Sequence, residues 1–358
     1  IELLYKSRYP LCVSGHQQYK YNGTVAIHKR DGSFSDKWIE YCEMHGVDYK
    51  IVDCHSSDII SDLTGCSALL WHWAHNNYRD MLLGRCLIQS LGKTDIAVFP
   101  DAATSWHYDD KIAQKYLFES LNIPSIPTDV HYSAETAMAA AEDYEYPVVF
   151  KLRSGAGSIN VKLLNTIHEA RSAIKKSFKG GYRYSPKERF YEKLSTLKRT
   201  RRISDFYSAI ASLARFASPH PSLSKLKTEK NYFLTQAFIP DNNCDIRVIV
   251  IGDKAFAIKR MTRDNDFRAS GSGKIVHDHE QIPIECVEAA FKYSIKIGGQ
   301  CIAYDFIFSG NTPLVVEISY CFNRNVYTDC PGHWNSNLQW VKGKFTPEFF
   351  IIEDLLRA

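Results

Sequence analysis

The 358-residue sequence predicts a small open α/β unit in front of a larger α+β unit. Three observations carry this. Short strand-like and helix-like runs alternate over the first hundred residues. Longer β-branched and aromatic runs, separated by turn residues, dominate the last hundred and twenty. The chain also exceeds the roughly 250 residues at which a single core stops growing.

In the front unit, Thr24-Val25-Ala26-Ile27-His28 reads as a strand, and Ser35 to His45 as a helix stopped by Gly46. Val47 to Val52, Ser67 to Trp71 and Thr94 to Phe99 are further strands, so residues 1–105 form an N-terminal α/β domain. The loop Trp71-His72-Trp73-Ala74-His75 follows one of these strands. Ligands in open α/β sheets bind beyond strand C-termini. Substrate contact, aromatic packing and a stray metal site are the three readings of that loop.

In the central region, residues 106–240, Tyr146 to Lys151 is a strand ending in lysine. Arg153-Ser154-Gly155-Ala156-Gly157-Ser158 follows it. Such a small-residue loop lets backbone N–H groups approach phosphates, and a lysine at its lip adds a point charge. It lacks the Gly-Lys-Ser/Thr ending of a Walker loop and the third glycine of a dinucleotide fingerprint. Tyr232 to Ile239 is the next strand.

The C-terminal region, residues 241–358, opens with Asp245 to Ile251 and Lys254 to Arg260, a hairpin turning at Gly252-Asp253. A second hairpin joins Cys301 to Phe308 with Pro313 to Ile318 across Ser309-Gly310-Asn311-Thr312. Centred on Asn311, it sets Asp305 opposite Glu317, with Cβ atoms about 5 Å apart. Two carboxylates in apolar strands repel unless a cation lies between them. Magnesium, usually held by one or two carboxylates plus substrate phosphates, suits such a pair, and Ser319 returns to the same face. Solvated acids, or acids paired with Lys or Arg, are the alternative reading.

Hydrophobic content of 45% and charged content of 23% are those of an ordinary globular protein. Ten cysteines are scattered singly, without a Cys-x-x-Cys pair, which fits thiols in a reducing compartment. No run approaches the roughly 18 uncharged apolar residues of a membrane span, and no signal core is visible at the N-terminus. A cytoplasmic protein is expected. The net charge of +4 hides an asymmetry. Between Phe178 and Lys230 there are thirteen Lys or Arg against four Asp or Glu, leaving 31 against 36 elsewhere. This segment, about 178–230, reads as an inserted appendage with little core of its own. Recognition motifs for RNA are absent, so nucleic acid is an unfavoured partner.

Taken in order, these pieces resemble the ATP-grasp superfamily, most closely its RimK-like carboxylate–amine ligases. The motifs are Asp110-Lys111 opening a helix before Asn122 to Pro127, Lys151 with its small-residue loop, and Gln236-Ala237-Phe238-Ile239. Cys244-Asp245-Ile246-Arg247, Asp266-Phe267-Arg268, Asp305 and Glu317-Ile318-Ser319 complete the set. The resemblance implies an ATP-grasp fold behind a pre-ATP-grasp α/β domain, covering about Asp110 to Arg357. It implies ATP and Mg²⁺ as cofactors. Lys111 and Lys151 would hold phosphates, with Ser154, Gly155, Ala156, Gly157 and Ser158 folded over them. Gln236 and the backbone at Ala237 and Ile239 would meet adenine, and Asp245 the ribose. Asp305, Glu317 and Ser319 would bind the metal.

Two positions depart from the family pattern. Ser319 stands where an asparagine is usual, with Asn323 as a substitute ligand. The stretch after Arg268, through Ala269 to Lys274, lacks the usual later arginine. Arg268 or Lys274 is then the candidate catalytic cation. The implied reaction joins a small carboxylate, such as a sugar acid or amino acid, to an amine through an acyl phosphate. An ATP-grasp kinase, or a non-catalytic nucleotide or polyanion binder, is the alternative.

Overall fold

The computed structural model describes residues 23–155, 161–182, 228–262, 268 and 273–357. Three sheets organise them. The first is parallel, with strand order β2-β1-β3-β4: β1 (Thr24–His28), β2 (Tyr49–Val52), β3 (Cys66–Leu70) and β4 (Ala97–Phe99). Helices α1 (Ser35–His45) and α2 (Tyr78–Leu91) connect these strands. Gly46 ends α1 at φ 63°, a left-handed conformation that costs glycine nothing, and its N–H bonds Cys42 O.

The second sheet is antiparallel, ordered β5-β8-β6-β7, with β5 (Thr128–His131), β6 (Val148–Lys151), β7 (Val161–Leu164) and β8 (Phe233–Ala237). Helix α3 (Lys111–Ser120) precedes this sheet and packs Leu117 and Phe118 into the core of the third, while α4 (Ala134–Asp143) and α5 (Ile167–Lys179) pack against this one. Each begins on a side chain that accepts a backbone N–H: Asp110 for α3, Ser133 for α4 and Thr166 for α5.

The third sheet has seven strands. The path β13-β12-β9-β10-β14-β15 uses β9 (Cys244–Ile251), β10 (Lys254–Met261), β12 (Cys301–Ser309), β13 (Thr312–Ser319), β14 (Gly332–Asn335) and β15 (Trp340–Lys342). The short β11 (Ile275–Val276) pairs with β10. Helix α6 (Ile284–Ile297) covers one face, and α7 (Pro347–Arg357) joins the other.

The core under the first sheet does not stop at residue 105. Trp38, Trp71 and Trp73 pack in one cluster with Ile249, Ile251, Phe256, Tyr320 and Ile351. The indole N–H of Trp38 donates to Glu348 O at 3.1 Å, and Tyr320 Oη donates to Trp73 O at 2.8 Å. The aromatic loop after β3 is therefore largely packing: Trp71 and Trp73 are fully buried. His72 stacks on Phe34 at 3.8 Å between ring centroids and accepts the Phe34 N–H through Nδ1. The aromatic C-terminal stretch is likewise built in, with Trp334 buried and Trp340 stacked on His279.

The basic insertion falls mostly on residues 183–227, outside the described residues. Its two ends meet. Tyr182 and Glu229 exchange both backbone hydrogen bonds, at 2.7 and 2.8 Å. Phe178 and Lys179, assigned to the insertion by sequence, instead complete α5. Among the described residues every cysteine is a free thiol, and no helix is long and apolar enough to cross a membrane.

Candidate active site

The pairing of Asp305 with Glu317 is observed, but by a different route from the one the sequence suggested. The turn is two residues, Gly310-Asn311, so Ser309 faces Thr312 and Phe306 faces Val315. Continued regularly, that register would put Asp305 opposite Val316. A bulge intervenes between Val315 and Glu317, and Glu317 becomes the partner of Asp305. The bulge lets Val315 and Ile318, three apart, both enter the core beneath α6. Backbone groups around it are held from the side. Gln236 Nε2 donates to Val316 O at 3.4 Å, while Gln114 accepts from Ile318 N and donates to Ile318 O.

The row of charge extends one strand further. Asp305 pairs in register with Arg247 on β9, and Asp245 pairs with Arg260 on β10. Arg260 grips both Asp245 oxygens at 2.6 and 2.7 Å and reaches Asp305 Oδ2 at 2.9 Å. Arg247 lies 3.4 Å from Asp305 Oδ1, a charge contact without hydrogen-bond geometry, so that buried oxygen has no hydrogen-bond partner among the described residues. Burial works against ionisation of Asp305, yet Arg247 and Arg260 outweigh it and hold the carboxyl below its ordinary range. The two acids thus have cations beside them from the protein itself, the Lys-or-Arg pairing the sequence left open. Reading alternate positions of β9 and β10 for charge would have found Arg247 and Arg260. Their partners, however, are set by register across strands.

Opposite this row stand the two lysines. Lys111, at the start of α3, puts Nζ 3.7 Å from Glu317 Oε2 and 2.9 Å from Gly155 O. Lys151, the last residue of β6, is buried. Desolvation pulls its ammonium down to about 8, against the pull of Glu317 and Asp305 and with the repulsion of Lys111.

The root of the small-residue loop is clamped to the start of α3. Gly155 N donates to Asp109 Oδ1 at 2.8 Å, Lys111 N donates to Arg153 O at 2.9 Å, and Arg153 is ion-paired with Asp110. Ser154 Oγ donates to Glu229, which also receives the Tyr232 hydroxyl. Ala156, Gly157 and Ser158 lie outside the described residues.

The remaining expected residues are more committed than the sequence suggested. Asp245, expected at a ribose, is buried in its ion pair with Arg260. Gln236 also bonds Thr128, and the Ala237 N–H is taken by Pro127 O. Ile239 O is 3.5 Å from the Asn242 amide. Ser319, expected as a metal ligand, accepts from Cys321 N and donates to Cys321 O within its own loop. Asn323, its substitute, accepts from Asn325 N to start a short helical turn. Lys274 leads into β11, where its carbonyl accepts Met261 N. Arg268 stands between residues 263–267 and 269–272, which are not described.

A RimK-like ATP-grasp domain model matches residues 214–327, a span holding β8 to β13 and both carboxylates. The folded chain is also similar to a RimK-domain ATP-grasp protein from Sphaerobacter thermophilus, at 18% identity and TM-score 0.53. That match covers 85% of this chain and 94% of the other. The chain has the ATP-grasp fold. D-alanine–D-alanine ligase from Bacillus anthracis, solved with ATP, is 13% identical over 93% of this chain and 96% of that one, at TM-score 0.50. The ATP-grasp ligase PsnB, solved with a minimal precursor, Mg and ADP, is 12% identical over 93% and 98%, at TM-score 0.53. No curated protein sequence matched this chain. Within its fold, the Asp305–Glu317 row and Lys111 belong to one charged cluster, with Lys151 in electrostatic reach of it.

Proposed function

We propose that this chain is an ATP-dependent ligase that joins a carboxylate to an amine, releasing ADP and phosphate. The observation that carries it is the carboxylate pair facing two buried lysines. A buried carboxylate oxygen without a hydrogen-bond partner among the described residues, 3.4 Å from a guanidinium, fits a hard divalent cation as a further partner. Asp305 and Glu317 would hold Mg²⁺, which neutralises phosphate charge and orients the transferring group.

Lys151 and Lys111 would bind phosphate oxygens as point charges. Arg247 and Arg260 would hold Asp305 ionised, and Asp245 would hold Arg260 in place. Gln236 and the strand end through Ile239 would border the base. The loop from Ser154 to Ser158, anchored at Gly155, would cover the phosphates and exclude water. Arg268 or Lys274 would stabilise charge as the γ-phosphoryl group passes to the substrate carboxylate. The amine then attacks the acyl phosphate, the C–N bond forms, and phosphate leaves with the carboxylate-derived oxygen. Such catalysis is positioning and electrostatics, and needs no nucleophilic side chain.

The family likeness and the acid–lysine cluster support a small carboxylate, such as a sugar acid or amino acid, and a separate amine. A cytoplasmic location agrees with the free thiols of the described cysteines. ADP release measured across a matrix of carboxylates and amines tests the reading. A ligase releases ADP only when both substrates are present. Turnover with a hydroxyl compound alone would assign a kinase instead.

A further inference from the structure

At the C-terminal edge of the first sheet, His28 ends β1, and Asp53 and His55 follow β2. One donor atom from each comes together, all within 4.8 Å of one another. We propose that His28, Asp53 and His55 form a binding site for a divalent transition cation of the zinc class, oriented by Asp80 and separate from the nucleotide-site metal.

The spacing suits a small ion. Asp53 Oδ1 lies 3.3 Å from His55 Nδ1 and 3.7 Å from His28 Nδ1. Ligands about 2.0–2.1 Å from a tetrahedral zinc are about 3.3 Å apart. The rings meet edge to face, 5.2 Å between centroids, so their donor atoms converge rather than stack.

The outer partners suit it too. His55 Nε2 bonds Asp80 Oδ1 at 2.7 Å. Asp80 is buried and also takes Ala74 N at 2.6 Å and the Asn77 amide at 2.8 Å. A buried carboxylate on the far ring nitrogen fixes the tautomer in which Nδ1 offers its lone pair to a metal. That lone pair faces the Asp53 carboxylate, an arrangement that repels unless a cation intervenes. Two carboxylates and two neutral imidazoles balance a dication. Trp71, whose indole N–H has no acceptor among the described residues, packs against both rings and walls the site.

Two competing contacts set the affinity. Cys54 N donates to His28 Nδ1 at 3.0 Å and must yield that lone pair to the ion. His55 N donates to Asp53 Oδ1 at 3.0 Å and holds that oxygen in place. Asp53 is largely exposed, which leaves an entry path from solvent.

The test is a Co²⁺ titration of the whole, chelator-treated protein in excess Mg²⁺ without nucleotide, followed by visible absorption and calorimetry. The expected result is one saturable Co²⁺ per chain, displaced by Zn²⁺, with Zn²⁺ raising the thermal midpoint. Asp53→Asn and His55→Gln should each weaken binding at least about tenfold, and Asp80→Asn about 10- to 100-fold. Asp53 lies at the surface, so its variant reports binding without a folding defect. Glu317→Gln should bind Co²⁺ like the parent. Absence of saturable uptake in excess Mg²⁺ would overturn the site. Uptake unchanged by Asp53→Asn and His55→Gln, or lost in Glu317→Gln, would overturn it as well.

Discussion

Glu317 faces Asp305 because Val316 is bulged out of the β12–β13 ladder, and the bulge turns Glu317 onto the face that carries Arg247. The two acids nevertheless differ in their surroundings. Asp305 is buried between Arg247 and Arg260, whereas the Glu317 side chain is 31% exposed and 3.7 Å from Lys111.

Their removal should therefore differ in cost. Asp305→Asn leaves Arg247 without its nearest acid and weakens the hold on Arg260, so about 3–5 kcal/mol of stability should be lost. Glu317→Gln should cost under about 1 kcal/mol, because its ion pair is solvent-screened. Both should abolish Mg-dependent turnover. Chemical denaturation of the nucleotide-free proteins checks this, and equal destabilisation by the two variants would contradict it.

Lys151→Ala should weaken ATP binding by about 1.5–3 kcal/mol, the loss of one charge-assisted contact. Isothermal calorimetry on the folded variant measures it, and parental affinity would remove Lys151 from the phosphate site.

The same lysine sets a pH dependence. Its folded value near 8 lies below its ordinary 10.5, so between those limits the unfolded chain binds more protons. Its contribution to stability should rise as pH rises from 8 to 10.5, the reverse of a lysine that gains a partner. ATP binding should weaken over the same rise and take up a proton, since phosphate favours the ammonium. Calorimetry at pH 9 in buffers of different ionisation enthalpy counts that proton, and Lys151→Met should abolish its uptake.

Gln114 ties α3 to the edge strand β13 through both the N–H and the carbonyl of Ile318. Gln114→Ala should cost about 1–3 kcal/mol, the penalty for leaving buried backbone groups unpaired. It should also lower turnover by loosening Glu317. A variant with parental thermal midpoint and parental turnover would show that the strand holds its place without Gln114.

Much of this was legible along the chain. Gly46, Gly252-Asp253 and the Asp110 cap are local signals, and the elements they bound appear where local chemistry puts them. The acid pair was legible too, through two compensating errors: a turn placed half a residue late and a bulge not foreseen. A bulge at Val316 depends on Val315 and Ile318 both seeking the core under α6, which is tertiary information. The bracketing of Asp305 by Arg247 and Arg260 depends on the register of β9, β10 and β12 in the same way. Ser319 has the right spacing from Glu317, but the local turn its hydroxyl closes on Cys321 is not visible in that spacing.

Trapping of the activated carboxylate tests the ligase reading most directly. With Mg·ATP and an active carboxylate, hydroxylamine in place of the amine should give hydroxamate and ADP in equal amounts, and Glu317→Gln should give neither. ADP formed without hydroxamate, accompanied by a stable phosphoester, would contradict ligation and assign phosphoryl transfer to a hydroxyl.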